Sequence, residues 1–242
     1  KFMGGHEAKA LESHIMELVT LNKANSDKIE SNENEIKKLV LFVVNSFYTT
    51  EGNAFASTIP LIMDKDDKTV EYAALMIVNN TDNALQFCVA TSELAKNSLL
   101  DMVFIIPWMP PRCPISKIVP EHLSEYIRSF TKLNASKYEN LLIIQLPPTM
   151  GEIDVEGIDN VKVLTLGIGL YPREFKNYYF DLLGYDGNCG VGYTSSFDFC
   201  EELVTRSLPN IQECIKRLLN GDDITHQTFT DDIEPYRMYE GH

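Results

Sequence analysis

The chain has 242 residues, 44% of them hydrophobic and 23% charged, the usage of an ordinary globular domain rather than a disordered or fibrous chain. Its 35 acids against 21 bases give a formal charge of -14. That argues against a general nucleic-acid binder and against docking on an anionic membrane, since both rely on a surplus of Lys and Arg.

Ala8, Leu11, Ile15, Leu18 and Val19 recur at helical spacing, so residues 6–24 read as an amphipathic helix. Residues 25–34 are polar and without apolar period. Four strand-like runs follow, at 39–48, 54–63, 69–78 and 84–90, the first rich in β-branched and aromatic residues. Asp64-Lys65-Asp66-Asp67-Lys68 and the polar stretch 79–83 supply turn chemistry between the later runs, so this part reads as an antiparallel meander.

Beyond Ala90 helix and strand alternate. Thr91 or Ser92 caps a short helix through Leu100, and residues 102–108 form a buried-type strand closed by Pro107, Pro110, Pro111 and Pro114. Pro120 opens a helix carrying Leu123, Tyr126, Ile127 and Phe130. Residues 141–146 are another buried strand, stopped by Pro147-Pro148, residues 151–160 an acidic loop, and residues 161–170 a further strand. Pro172 then sits at a first helical position, with Phe175, Tyr178, Tyr179, Leu182 and Leu183 as a core stripe and Gly184 as the stop. Two more helices, 197–208 and 211–219, follow, the second capped by Asn210 and ended by Gly221.

The fold class expected is a mixed α/β (α+β) single domain over residues 1–221: an N-terminal helix, an antiparallel meander, alternating helix and strand, and C-terminal helices. Residues 222–242 make an acidic tail with Phe229, Tyr236 and Tyr239, which either stays disordered or docks as an extended strand.

Cys88, Cys113, Cys189, Cys200 and Cys214 are odd in number and show no C-x-x-C spacing, so no disulfide framework is expected and a reducing cytoplasm is. The longest apolar runs fall far short of the roughly 18 residues that span a bilayer, and residues 1–5 have no apolar h-region of a signal peptide. Histidines at 6, 14, 122, 226 and 242 have no metal-ligand spacing. The acids at 64–67 lack the glycine and final glutamate of a calcium loop. Gly167-Ile168-Gly169 and Gly190-Val191-Gly192 do not continue into a phosphate-binding loop. Neither metal nor cofactor is expected.

Two sets of residues remain as candidate sites. Trp108, beside Pro107, Pro110 and Pro111, either anchors a partner or tucks over the sheet edge, and the loop acids Glu152, Asp154, Glu156 and Asp159 present charge to a basic partner. The second set is Cys189 on the glycine-rich turn Tyr185-Asp186-Gly187-Asn188-Cys189-Gly190, ahead of a helix whose N-terminus favours a thiolate. The run Asp186-Gly187-Asn188-Cys189 resembles the nucleophile motif of ovarian-tumour-type cysteine proteases. The resemblance stops there: Gly190-Val191-Gly192 replaces the family's immediate helix start, and the tail offers His226 as the base.

A longer stretch, 141–187, resembles the C-terminal half of suppressor-of-fused-like domains: an apolar strand ending in Pro147-Pro148, an acidic loop, the strand from Val161, then Tyr171-Pro172-Arg173-Glu174-Phe175 entering a helix that stops at a glycine. That resemblance implies a non-catalytic domain that binds and restrains another protein. The function expected is thus an acidic protein-binding domain, inhibitory or immunity-like, towards a basic partner. The alternatives are a cysteine-dependent hydrolase using Cys189, His226 and Asp186, and a structural or scaffold subunit.

Overall fold

The computed structural model describes residues 36–45, 49–79, 100, 102–108, 115–149, 151–169, 175–184, 187–189, 196–225 and 233–237, with the backbone alone at 45, 49–50, 78–79, 102–108 and 115–124. The helix read at 6–24 and the strand read at 84–90 lie outside these residues, as does the cap read at Thr91 or Ser92.

Among the described residues six strands form one sheet: β1 (Lys38–Asn45), β2 (Val70–Asn79), β3 (Met102–Trp108), β4 (Asn140–Gln145), β5 (Val161–Gly167) and β6 (Tyr178–Asp181). Their order is β3-β2-β1-β4-β5-β6, and every neighbouring pair is parallel. This overturns the antiparallel meander. Turn chemistry at 64–68 is present, with Asp66 N–H donating to Asp64 Oδ1 and Thr69 N–H to Asp67 Oδ1. It joins a helix to a parallel strand rather than two strands of a hairpin, because the run before it is not extended.

Residues 54–63 instead belong to α1 (Thr49–Ala56) and α2 (Ile59–Ile62). Ala54, Phe55, Ala56, Thr58, Ile59, Ile62 and Met63 are all buried. A short helix buried on nearly every side loses the polar face that would reveal its period. Pro60 lies at the first turn of α2, where its missing N–H costs no helical bond.

Three further boundaries differ from expectation. α3 (Ile115–Ala135) begins before Pro120 and carries it internally. The stripe at 175–183 is no helix, since Tyr178–Asp181 is the edge strand β6. Residues 197–208 and 211–219 are one helix, α4 (Phe197–Leu219), capped by Ser196 Oγ accepting from Phe199 N–H, with Pro209 inside it. Pro209 and Thr205, whose carbonyl the missing N–H would have met, are both exposed, so the open carbonyl lies on the solvent side and the helix continues. Asn210 is therefore an interior residue and not a cap.

The strands are apolar on both faces, the pattern of a parallel sheet covered on both sides. Val40, Phe42 and Val44 of β1 pack with Ile144, Leu166 and Phe180 under α1, α2 and α4. Leu39, Leu41 and Val43 face the other way, with Leu75, Ile143 and Val163, under Ile127 and Ala135 of α3 and Ile153 of the loop. Right-handed crossovers require this division: the step from β1 to β2 crosses one face through α1 and α2, and the step from β3 back to β4 crosses the other through α3.

α4 returns to the first face and is anchored at its C-terminus by the starts of three strands. Asn140 Nδ2 donates to Leu219 O (2.8 Å), Lys38 Nζ to Asn220 Oδ1 (2.8 Å), and Lys162 Nζ to Gly221 O and Asp222 O (3.0 and 2.9 Å). The Asn140 bond satisfies a carbonyl that the helix end otherwise leaves open, and the lysines complement the helix's negative pole. With its C-terminus held at the strand starts, α4 presents its N-terminus at the opposite rim. No helix among the described residues is long and apolar enough to cross a membrane.

Candidate functional site at the C-terminal rim

The strand order reverses direction at one place. From β1 the chain moves outward to β2 and β3, then returns to β4 on the other side of β1 and moves outward again. After β1 it enters α1 on one face, and after β4 it passes to the loop on the other face. The two exits diverge over the C-terminal ends of β1 and β4, the position at which open α/β sheets form a crevice for their ligands.

Polar residues end the apolar strands around this crevice: Asn45 on β1, Gln145 on β4 and Asp181 on β6. Gln145 is buried, and its amide donates to Gly151 O (2.8 Å) and to Thr165 Oγ1 (3.2 Å), tying the exit of β4 to β5. The Pro147-Pro148 peptide beyond it is cis. Asp181 Oδ1 accepts from Gly169 N–H (3.1 Å) and Leu183 N–H (3.0 Å), and Tyr179 Oη donates to Gly169 O (2.9 Å). Gly169 has φ +88°, a left-handed conformation that suits glycine. The exits of β5 and β6 are thereby locked together.

The C-terminal segment closes the β6 side. Tyr236 N–H donates to Leu183 O and Asn188 N–H donates to Tyr236 O, both at 2.7 Å. Ile233 is buried in the core, and the Tyr236 ring meets Phe199 edge-on at 5.4 Å. Gly184, at φ +77°, has no room for a side chain: a Cβ there would lie 3.0 Å from Ile233 O and 3.2 Å from Glu234 O. Of the tail, residues 233–237 are thus docked on their own domain.

Cys189 lies on the stretch 187–189 that this segment bonds through Asn188, partly buried and packed against the core. α4 starts at Phe197 with Ser196 as its cap, so the thiol precedes the helix in the chain without belonging to its first turn. Burial pushes its pKa up, and the carboxylates of Asp181 and Glu51 push the same way. That is opposite to the shift an activated thiolate needs. Cys200 is pushed up to about 12, by burial first and then by Glu51 and Cys189. His226 and Asp186 lie outside the described residues.

The other expected contacts are placed as follows. Trp108 ends β3, next to Asn79 of β2, and its side chain is outside the description. Glu152 Oε1 accepts from the backbone N–H groups of Lys176 and Asn177, and the Asn177 side chain bonds both backbone groups of Ile153. Asp154 pairs with Arg128 (3.5 Å), which also donates to Glu156 O (2.6 Å). Two of the four loop acids therefore hold the loop to its own domain. The Glu156 and Asp159 residues are exposed. No group of His, Cys, Asp and Glu among the described residues is arranged to hold a metal ion.

The rim residues Asn45, Glu51, Gln145, Thr165 and Asp181 were missed from sequence. Their signal was present, since each of three apolar strands ends on one polar residue. A groove of about 940 Å³ opens at the opposite end, between α2, α4 and the turn at 64–67. It lies at the strand starts, the end where such sheets do not place their sites. No protein-family model matches the chain, and no curated protein matches it either.

Proposed function

We propose that the protein binds a small polar ligand in the crevice between the exits of β1 and β4. The single observation that carries this reading is the all-parallel order β3-β2-β1-β4-β5-β6, with its reversal at that pair. The ligand's chemistry is narrowed by what borders the crevice. Glu51 stands in the first turn of α1, where dinucleotide sites place a phosphate on the helix N-terminus. No G-x-G-x-x-G follows β1. A carboxylate at that position repels a phosphate and accepts hydrogen bonds from hydroxyl or amine groups, so the class favoured is a hydroxyl-rich or amine-bearing molecule.

The test is a thermal-shift panel of sugars, nucleosides, polyamines and dinucleotides, with amide exchange on any hit. Saturable stabilisation, of about 2.7 kcal/mol at a hundredfold excess over Kd, with protection confined to the segments leaving β1 and β4, is the expected result. Stabilisation by none of these classes, or protection elsewhere, overturns it.

A second reading is a basic protein partner, in keeping with the charge of -14 and the resemblance of 141–187 to suppressor-of-fused-like domains, and with the cytoplasm as its compartment. The observation favouring it is on α3, where Leu133 is 75% and Tyr126 47% exposed. Trp108, Glu156 and Asp159 are its remaining contacts. Capture of one stoichiometric basic protein from the native lysate, released at about 0.5 M salt, supports it. Capture that ignores salt removes the electrostatic argument.

A further inference from the structure

Between the middle of α4 and the docked segment 233–237 lies a cavity of about 380 Å³, lined by Arg206, Asn210 and residues 233–237. In so acidic a chain a guanidinium ordinarily finds a carbonyl or carboxylate. Arg128 does, with Asp154 and the Glu156 carbonyl, and Arg217 donates to Asp223 O. Arg206 and Arg237 do not: among the described residues neither has a hydrogen-bond acceptor or an ion pair, although Glu234 lines the same cavity. Among the described residues, the two arginines without an oxygen partner thus stand at one cavity.

Arg206 is also held in place. Its guanidinium lies over the Tyr236 ring, 5.6 Å from the centroid, and that ring is fixed by Phe199. A cation–π contact supplies no oxygen acceptor, so it leaves guanidinium N–H donors to an oxyanion, which such a fork grips bidentately.

We propose that this cavity is a binding site for a compact oxyanion, a phosphate or carboxylate group, gripped by Arg206 and Arg237 with the Asn210 amide beside them. The charge of -14 opposes an anion at long range, so recognition is short-range and the affinity modest, with Kd on the order of 1 mM. The site is independent of the crevice reading, and each stands or falls alone.

The experiment is calorimetric titration of the full chain with inorganic phosphate and, separately, with succinate, at constant ionic strength made up with chloride. Saturable binding of phosphate alone assigns the site to phosphate groups, and of succinate alone to carboxylates. Arg206→Ala and Arg237→Ala should each weaken that binding about tenfold or more, and Arg206→Lys, which keeps the charge without the fork, should weaken it less than Arg206→Ala. Arg237 is exposed, so its variant folds and keeps the test decisive if Arg206→Ala does not. No saturable binding of either anion, or binding unchanged in Arg237→Ala, overturns the proposal.

Discussion

Gly167 ends β5 opposite Asp181, and a Cβ built on it falls inside the van der Waals radii of Tyr179 Oη, Cζ and Cε2. The ring cannot yield cheaply. Tyr179 is 7% exposed, and its hydroxyl is bonded to Gly169 O. Gly167→Ala therefore forces the ring aside, at about 1–3 kcal/mol for overpacking plus about 1 kcal/mol for the lost hydrogen bond, or roughly 3 kcal/mol together. With a urea m-value of about 3 kcal/mol per molar, the unfolding midpoint should fall by about 1 M. The decisive comparison is a double-mutant cycle. Tyr179→Leu removes the obstructing ring and costs stability alone, yet Gly167→Ala added to it should cost almost nothing, a coupling of about 2–3 kcal/mol. Strictly additive effects, or a Gly167→Ala loss below about 1 kcal/mol, would refute the steric argument.

Two further outcomes follow from single side chains. Ser207 Oγ is fully buried in α4 with no hydrogen-bond partner, so Ser207→Ala should raise stability by about 1 kcal/mol; a loss of that size in the same denaturation curve would mean the hydroxyl is satisfied. Tyr178 is pushed up to about 12, by burial first and then by its hydrogen bond to Asp223 and that carboxylate's charge. Its folded value lies above the ordinary 10, so its contribution is fully present below pH 10 and is lost as pH rises from 10 through 12. Tyr178→Phe should flatten that stretch of the stability-pH curve, and a slope as steep as the wild type's would count against the Asp223 contact.

The strands were legible in outline because their signal is composition: residues 39–44, 141–144 and 163–166 are apolar with no polar interruption longer than one residue. That same feature should have argued for a parallel sheet, since antiparallel strands with one wet face alternate. The turn at 64–68 outweighed it. Tyr178, Tyr179, Leu182 and Leu183 satisfy helical spacing by coincidence: β6 is short and covered on both sides, so it shows neither period cleanly. Pro209 reads as a break in any sequence, and only its exposed position shows why the helix passes through it. The candidate site was the least legible part, because a crevice made by strand order has no local motif. Asn45 and Gln145 are a hundred residues apart in the chain and come to the ends of neighbouring strands only through the topology.

That separation also governs how the chain comes to be folded. β1 aligns Lys38 with Val70 on one side and with Asn140 on the other, so one edge of its apolar run stays open until about a hundred more residues exist. At ordinary rates of synthesis that is about 5–20 s, during which an uncovered hydrophobic edge invites pairing with other chains. The seam between β1 and β4 closes late, as loop-closure costs dictate for distant parallel pairs. The crevice lies on that seam, and a ligand lodged there would hold shut the joint with the longest loop to close.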